Sequence, residues 1–172
     1  NEFMRIQTPQ GLGTDITLNA SEIATFTTNG QALKTVSPPY TLAFDQISDA
    51  QLDRVIIASG DMTLNINSDF QHSGTLTVSM PDLRLNGVAY VQSFALDYSG
   101  GPVNVDISVP LAGYEMTLNQ GGIQNVTINY TLNLQNGGAP APIPSQRVNV
   151  NHSFTALQMS YAEGYFGQFD LE

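Results

Sequence analysis

The feature that most constrains the fold of this chain is an alternation of apolar and polar residues that recurs almost from end to end. In the stretch NVTINYTLNLQN (125–136), every second residue from Val126 to Leu134 is apolar, and the residues between them are Asn, Thr or Gln. A period of two places successive side chains on opposite faces of an extended strand. Each such segment therefore has one face suited to a core and one suited to water.

Along the whole chain this alternation predicts about 10–13 short strands. The segment NGGAPAPIPS predicts a surface loop at Gly137–Ser145, because prolines cannot sustain a hydrogen-bonded ladder. One short helical turn is predicted to begin at Ser48, which can cap it. The predicted strands include Thr14–Asn19, Ile23–Thr28 and Tyr40–Asp45. A hairpin is predicted with Met62, Leu64 and Ile66 facing inward on one arm and Leu76, Val78 and Met80 facing inward on the other. A further strand is predicted with Val103, Val105, Ile107 and Val109 on one face.

The fold class follows from these strands. Parallel strands need long crossovers, usually helical, so strands without helices between them should be largely antiparallel. One apolar face per strand suits two packed layers. The sequence therefore predicts an all-β fold, an antiparallel β-sandwich or β-roll with at most one short helical turn. A length of 172 residues predicts a single domain, 1–172, with a boundary near Ile47–Arg54 as the alternative.

Charge and composition restrict the partners. A net charge of -10 repels phosphate backbones and anionic bilayer surfaces, so nucleic acid is not expected as a partner. No cysteine is present, which excludes disulfides and thiol chemistry. No apolar run reaches the roughly 20 residues that span a bilayer, so no transmembrane segment is expected. The terminal NEF and LE look like cloning remnants, which predicts a domain excised from a larger surface protein.

Residues that could carry catalysis are few. His72 lies in the predicted turn QHSG and His152 in the predicted strand NVNHSF, and neither has a metal-ligand spacing such as H-x-H or H-E-x-x-H. We interpret them as a solvated turn residue and a strand-face residue. No G-x-S-x-G motif is present. The sequence therefore predicts no catalytic residue, no metal site and no cofactor, and a chain that is not an enzyme.

The carboxylates leave one alternative open. Asp45, Asp49, Asp53 and Asp61 are close together in the sequence. Calcium loops place oxygen ligands at alternate positions around a glycine that sharpens the turn, and the stretch DAQLDRV lacks that glycine. We interpret these carboxylates as solubilising charge, with a structural calcium ion as the alternative.

The tail SYAEGYFGQF is the most distinctive local feature. It carries Tyr161, Tyr165, Phe166 and Phe169. Aromatic rings on a β-scaffold either close a core or present platforms for sugars and anchors for partners. Core closure is the favoured interpretation. Under the other one, Tyr161, Tyr165 and Phe166 are candidate ligand-binding residues.

Uncharged polar residues dominate the outward positions of the predicted strands. They can hydrogen-bond sugar hydroxyls without the burial of a charge, although ordinary solvent exposure is the simpler interpretation. Asn129 and Asn151 are candidates for a ligand groove shared with Tyr161 and Tyr165. The outward set comprises Asn65, Asn67, Thr75, Thr77, Asn104, Asn125, Asn129, Asn149 and Asn151.

Three stretches resemble a known class of domain. The stretches GDMTLNINSDFQHSGTLTVSMPDL, PLAGYEMTL and AEGYFGQ together resemble β-rich domains of surface-exposed or lipid-anchored cell-envelope proteins of Bacteroidota. The resemblance covers Gly60–Phe169 and carries no active-site residues. Those proteins are mostly of unassigned function, so the resemblance implies an extracellular or outer-surface location and no particular activity.

These observations predict a non-enzymatic structural, adhesive or interaction module of a cell-envelope or extracellular protein. Its expected partners are other domains of the same protein or surface proteins. A carbohydrate-binding module that uses the Asn/Thr/Tyr face for polysaccharide is one alternative. A carrier of lipid or another apolar ligand between the β layers is the other.

Overall fold

The computed structural model describes residues 12–41, 51–118 and 125–165. Nearly all of the regular structure in these ranges is strand, with a single helix. In chain order the elements are β1 (Leu12–Thr17), α1 (Ala20–Asn29), β2 (Gln31–Val36), β3 (Pro39–Thr41), β4 (Gln51–Ser68), β5 (Gly74–Leu85), β6 (Val88–Leu96), β7 (Val103–Pro110), β8 (Glu115–Thr117), β9 (Asn125–Thr127), β10 (Asn129–Gln135) and β11 (Arg147–Tyr165).

The strands form one curled, nine-stranded sheet and a small two-stranded sheet of β3 and β9. The large sheet has two regions, one with the order β1–β11–β4–β7 and one with the order β6–β5–β10–β2. Strand β8 joins the regions, because it pairs with both β4 and β5. All of these pairs are antiparallel, which confirms the predicted all-β, antiparallel fold class.

The inner faces of the two regions meet in one hydrophobic core. The ring of Tyr130 on β10 lies 5.5 Å from the ring of His152 on β11, measured between centroids. Both residues are buried, as are apolar residues at alternate positions of β4, β5, β10 and β11. The inward positions predicted for the two hairpin arms, Met62–Ile66 and Leu76–Met80, are confirmed, since alternate residues there are fully buried. Each buried aliphatic side chain stabilises the fold by about 1.5–3 kcal/mol.

Strands β4 and β11 are long because they bend together at a bulge and continue. Gly60 has φ 120°, and on the facing strand the register shifts between Thr155 and Gln158, where Ala156 has φ 52°. Such a bulge bends a strand pair and increases its twist without ending the ladder. Strands of 18 and 19 residues therefore stand where the sequence predicted several short ones.

Residues Ile23–Thr28 belong to α1, so the strand predicted there is wrong. The side chain of Asn19 accepts a hydrogen bond from the backbone N–H of Glu22, and the Glu22 carboxylate accepts one from the backbone N–H of Asn19. This capping box satisfies donors at the helix N-terminus, and Gly30, with φ 72°, ends the helix in the left-handed region. Capping at both ends and the burial of Phe26 outweigh the strand preference of the threonines.

Two further predictions concern the segments between strands. The helical turn predicted at Ser48 begins outside the described residues, and the chain from Gln51 onward is strand β4. The predicted loop Gly137–Ser145 is confirmed between β10 and β11. In the described ranges, no helix has both the length and the apolar character needed to cross a membrane.

Candidate functional site

Side chains that point away from the core form two outer faces. The amide face is the outer surface of β1, β11, β4 and β7, and the neutral face is the outer surface of β6, β5 as far as Met80, β10 and β2. Tyr130 and His152 point inward and touch each other. Their chain neighbours Asn129 and Asn151 therefore point outward in opposite directions, because side chains alternate along a strand. The two faces lie on opposite sides of the sandwich.

The amide face carries a connected row of polar side chains across β1 and β11. Asn149 donates from Nδ2 to Asp15 Oδ1 at 2.7 Å, and Asn151 donates to Asn149 Oδ1 at 2.7 Å. Arg147 extends the row with an ion pair to Asp15 at 3.1 Å. A Cβ on Gly13 would lie 2.6 Å from Asn151 Oδ1, so the glycine leaves the space that this amide occupies.

A second part of the amide face joins β4 to β7. Asn65 donates to Asp106 Oδ1, and Asn67 donates to Asn104 Oδ1. The register sets these pairs directly beside the row on β11. Mutual hydrogen bonds hold the side chains in place before any ligand arrives, which lowers the entropy that binding would lose. The amide face is therefore a preorganised polar surface.

The neutral face has a different chemistry, since hydroxyls cross its four strands in a row. The hydroxyls of Thr77 and Ser93 are 2.8 Å apart, and those of Thr35 and Thr131 are 3.1 Å apart. The register places Thr77 beside Thr131, which completes the row. The outward residues of this face are Gln31, Leu33, Thr35, Thr75, Thr77, Ser79, Val91, Ser93, Ala95, Asn129, Thr131, Asn133 and Gln135.

Charge is absent from the outward positions of the neutral face. Lys34 is the only charged residue of β2, β6, β10 and of β5 as far as Met80, and it points to the other side, where its Nζ pairs with Glu22 of α1 at 2.9 Å. Two large apolar side chains lie on the face, Leu33 with 71% and Val91 with 60% of its surface exposed. A surface of this kind loses less free energy on dehydration than one that carries carboxylates.

One end of the neutral face has a shallow cleft of about 290 Å³, lined by Ser73, Gly74, Thr75, Asn133 and Gln135. Gly74 lies so close to the facing strand that a Cβ there would collide with the carbonyl oxygen of Asn133. The cleft is open to solvent and contains no ionisable side chain. It continues the uncharged character of the face.

His72 is buried, so its interpretation as a solvated turn residue is wrong. Its Nδ1 accepts the backbone N–H of Gly137 at 3.3 Å, which places the ring proton on Nε2, and Nε2 donates to the carbonyl oxygen of Pro140 at 2.9 Å. The ring packs edge-on against Phe26 of α1, with 4.7 Å between centroids. His72 therefore connects the loop 137–145 to the helix.

His152 is a core residue, and neither of its ring nitrogens has a hydrogen-bond partner among the described residues. Burial lowers the pKa of His152 to about 4, because it removes the imidazolium from water and no hydrogen-bond acceptor among the described residues compensates it. The neighbouring Tyr130 hydroxyl is bonded to the hydroxyl of Tyr40 at 3.0 Å, and burial raises the pKa of Tyr130. No set of three potential metal ligands comes together in the described part of the chain.

The structure does not bring the predicted groove residues together. Asn129 lies on the neutral face and Asn151 on the amide face. Tyr161 is 46% exposed, so core closure by this ring is wrong. The backbone of Tyr165 ends β11 and pairs with Gln51, whereas Phe166 and Phe169 lie outside the described residues.

Tyr161 belongs to a charged cluster that the sequence did not indicate. The guanidinium of Arg54 lies 5.5 Å from the Tyr161 ring centroid and pairs with Glu115 at 2.7 Å and with Glu163 at 3.7 Å. The hydrogen bond from Arg54 lowers the pKa of Glu115. These residues come from β4, β8 and β11, so no local motif could reveal them. A shallow cleft of about 200 Å³ lies beside the cluster, lined by Ile56, Arg84, Asn86, Gly87, Gly113 and Glu115.

Comparison with known proteins identifies no family. No family model matches the chain, and no curated protein matches it. Among solved structures, the broad bean stain virus cryo-EM structure gives a TM-score of 0.36 at 11% identity, over 81% of this chain and 86% of that chain. The structure of the infectious bursal disease virus Gx strain gives 0.21 at 8% identity, over 92% of this chain and 39% of that chain. The resemblance to Bacteroidota envelope domains stays a prediction.

Proposed function

We propose that this chain is a non-enzymatic interaction module of a cell-envelope or extracellular protein. Its neutral face binds another domain of the same protein or a neighbouring surface protein, without a cofactor. The observation that supports this proposal is the charge distribution: the chain carries -10, yet no outward side chain of the neutral face is ionisable. Fully buried centres of protein interfaces are likewise depleted in charged residues.

The row of hydroxyls from Ser93, Thr77, Thr131 and Thr35 lowers the free-energy cost of burying the neutral face. The Thr77–Ser93 and Thr35–Thr131 pairs already hydrogen-bond within the face, so they keep partners when water leaves. A buried polar group without a partner would cost about 1–3 kcal/mol. Leu33 supplies exposed apolar surface that a partner can cover.

A pair of positions on opposite faces tests the proposal. A photo-reactive side chain is placed at Thr131, in the centre of the neutral face, and separately at Asn65, in the centre of the amide face, in cells that produce the whole protein. The cross-linked partner is then purified, and its affinity is measured for T131K and for N65K, which add the same charge. We expect a specific adduct at Thr131 and at least about tenfold weaker binding by T131K, since burial of an unpaired charge is strongly unfavourable.

The opposite pattern would overturn the proposal. An adduct formed at Asn65 alone, or an affinity that N65K lowers and T131K leaves unchanged, assigns binding to the amide face. The absence of a specific adduct at both positions removes the evidence for a docking face.

A carbohydrate-binding module that uses the amide face is the second candidate. Its supporting observation is the preorganised set of Asn and Asp side chains, which offers donors and acceptors at fixed positions. Polysaccharide would be its partner. The outward residues around this set, on β1, on 147–155 of β11, on 61–68 of β4 and on β7, include no aromatic ring, which makes sugar stacking there weaker than in a site built around Trp or Tyr.

A glycan array with purified protein tests this candidate. Any glycan that binds should lose about tenfold in affinity with N151A, which removes one or two hydrogen bonds of about 1 kcal/mol each, and should be unaffected by T131A on the other face. Binding that is insensitive to N151A, or an array without hits, excludes the amide face as a sugar site. The apolar-ligand carrier has no supporting observation, because the described inner faces pack into one continuous cluster.

A further inference from the structure

Four strands of the described sheet have a neighbour on one side only: β1, β2, β6 and β7. An edge strand exposes backbone N–H and C=O groups that can pair with another chain, and natural proteins protect such edges with charge, proline or short length. The edges of β1 and β2 are six residues long and carry Asp15 and Lys34. That of β7 carries Asp106 and Pro110. These three edges are protected in the usual ways.

Strand β6 lacks all of these protections. Its sequence VAYVQSFAL, Val88–Leu96, is nine residues long and contains no charged residue, no proline and no glycine. Val88 and Val91 are 71% and 60% exposed, and Leu85, across the turn that leads into β6, is 37% exposed. The segment has high β propensity and no charge, which are the properties of a strand that pairs with a further strand.

The β6 sequence also complements itself in one antiparallel register. A two-fold axis at Gln92 places Tyr90 opposite the partner's Phe94, Ala89 opposite the partner's Ala95 and Val88 opposite the partner's Leu96. Residues that face each other in this register point to the same side of the sheet, so Tyr90 and Phe94, both buried, meet on the inner side. Aromatic cross-strand pairs each stabilise a ladder by roughly 0.2–1 kcal/mol.

The net charge of the chain also favours association of two copies through β6 over the other edge strands. Two copies that each carry -10 repel each other, and the repulsion is smallest where neither contributes a nearby charge. In the two-fold register no carboxylate of β6 faces another, because β6 has none. A two-fold pair of β7 edges would bring two copies of Asp106 into one interface.

We propose that two copies of this chain pair through β6, antiparallel and about a two-fold axis at Gln92. The four-stranded regions β2–β10–β5–β6 of both copies then form one continuous sheet, with the two neutral faces side by side. This interface goes beyond the proposed function, since it uses the backbone edge of β6, whereas the docking of other proteins uses the outward side chains of the neutral face.

The two-fold register identifies the residues to substitute in a test. In this register Val91 lies opposite the partner's Ser93, and both side chains are exposed. Sedimentation velocity over a range of protein concentrations measures the dimer dissociation constant. We expect V91K/S93K, which sets like charges opposite each other at two symmetric places, to raise it by about tenfold or more. V91K/S93E sets opposite charges there and should keep the dimer. N104K/S108K adds the same charge as V91K/S93K on the outer side of β7 and should leave the dimer unchanged.

Cross-linking fixes the register independently, because the natural chain has no cysteine. Q92C should form a disulfide-linked dimer on mild oxidation, whereas N104C should not. A chain that stays monomeric at millimolar concentration overturns the proposal. So does a dimer that V91K/S93K leaves intact, or one that N104C links and Q92C does not. None of these results affects the neutral-face proposal, which depends on T131K.

Discussion

The imidazole of His152 packs against the ring of Tyr130 at 5.5 Å between centroids, and neither imidazole nitrogen has a hydrogen-bond partner in the described ranges. The core therefore holds a neutral histidine, whose pKa burial lowers to about 4 from the ordinary 6.5. The Tyr130 hydroxyl is hydrogen-bonded to the hydroxyl of Tyr40. The pair does make the stability of the fold depend on pH.

Stability should fall as the pH drops through the window from 6.5 towards 4. In that window the unfolded chain binds a proton at His152 and the folded chain does not, so the histidine favours unfolding increasingly until the pH reaches the folded pKa. The expected loss between pH 7 and pH 5 is about 2 kcal/mol. Urea unfolding of the natural chain and of H152L at both pH values measures it. Equal losses in the two proteins would contradict the assignment to His152.

Replacement of His72 should release the loop 137–145. H72F keeps the ring contact with Phe26 but removes the hydrogen bonds to Gly137 and Pro140, which should cost about 1–3 kcal/mol. The amide of Gly137 should also exchange faster with solvent, as hydrogen exchange by NMR can measure. I143A alters an exposed side chain of the same loop and serves as the control. Unchanged exchange at Gly137 in H72F would show that the imidazole does not hold the loop.

G60A should be among the most damaging single substitutions in the chain. A Cβ at Gly60 would lie 2.8 Å from Leu157 Cδ2 and 2.9 Å from the Thr155 carbonyl oxygen, at φ 120°. Strained backbone of this kind costs about 1–3 kcal/mol, and the clash at the bulge adds to it. G100A has a similar φ, 106°, with nothing within 4 Å, so it isolates the backbone cost. If the two variants unfold at the same urea concentration, the β4–β11 bulge does not depend on close packing at Gly60.

The aromatic tail separates into two parts with different expected effects. Y161A removes an exposed ring beside Arg54 and should lower the free energy of unfolding by less than about 1 kcal/mol. Deletion of Gly164–Phe169 removes the β11 residues that pair with Gln51 and Leu52, and Leu52 is buried, so we expect this truncated chain to unfold. Thermal melting compares the two. A truncated chain that melts normally and loses only binding would identify the tail as a recognition platform.

Much of the fold could be read from local patterns. The alternation in 125–136 predicted a buried side at Val126–Leu134 and an outward polar side, and both are present in the described residues. The error at Ile23–Thr28 was also local, because Asn19 and Glu22 form a capping box whose N-A-S-E sequence marks a helix start. The sequence therefore contained a helix signal, but the strand prediction gave more weight to the strand propensity of the threonines.

The sequence by itself determined which side of each strand is apolar, because a period of two is a property of neighbouring residues. Only the tertiary structure decided which strands share a face. Asn129 and Asn151 look equivalent in the sequence, yet they lie on opposite sides of the sandwich because β10 pairs with β5 and β2 whereas β11 pairs with β1 and β4. Likewise His72 is buried by Phe26 and the loop 137–145, which are distant in sequence. Pairing between distant segments depends on the register of backbone hydrogen bonds and on mutual burial, and no local pattern encodes either.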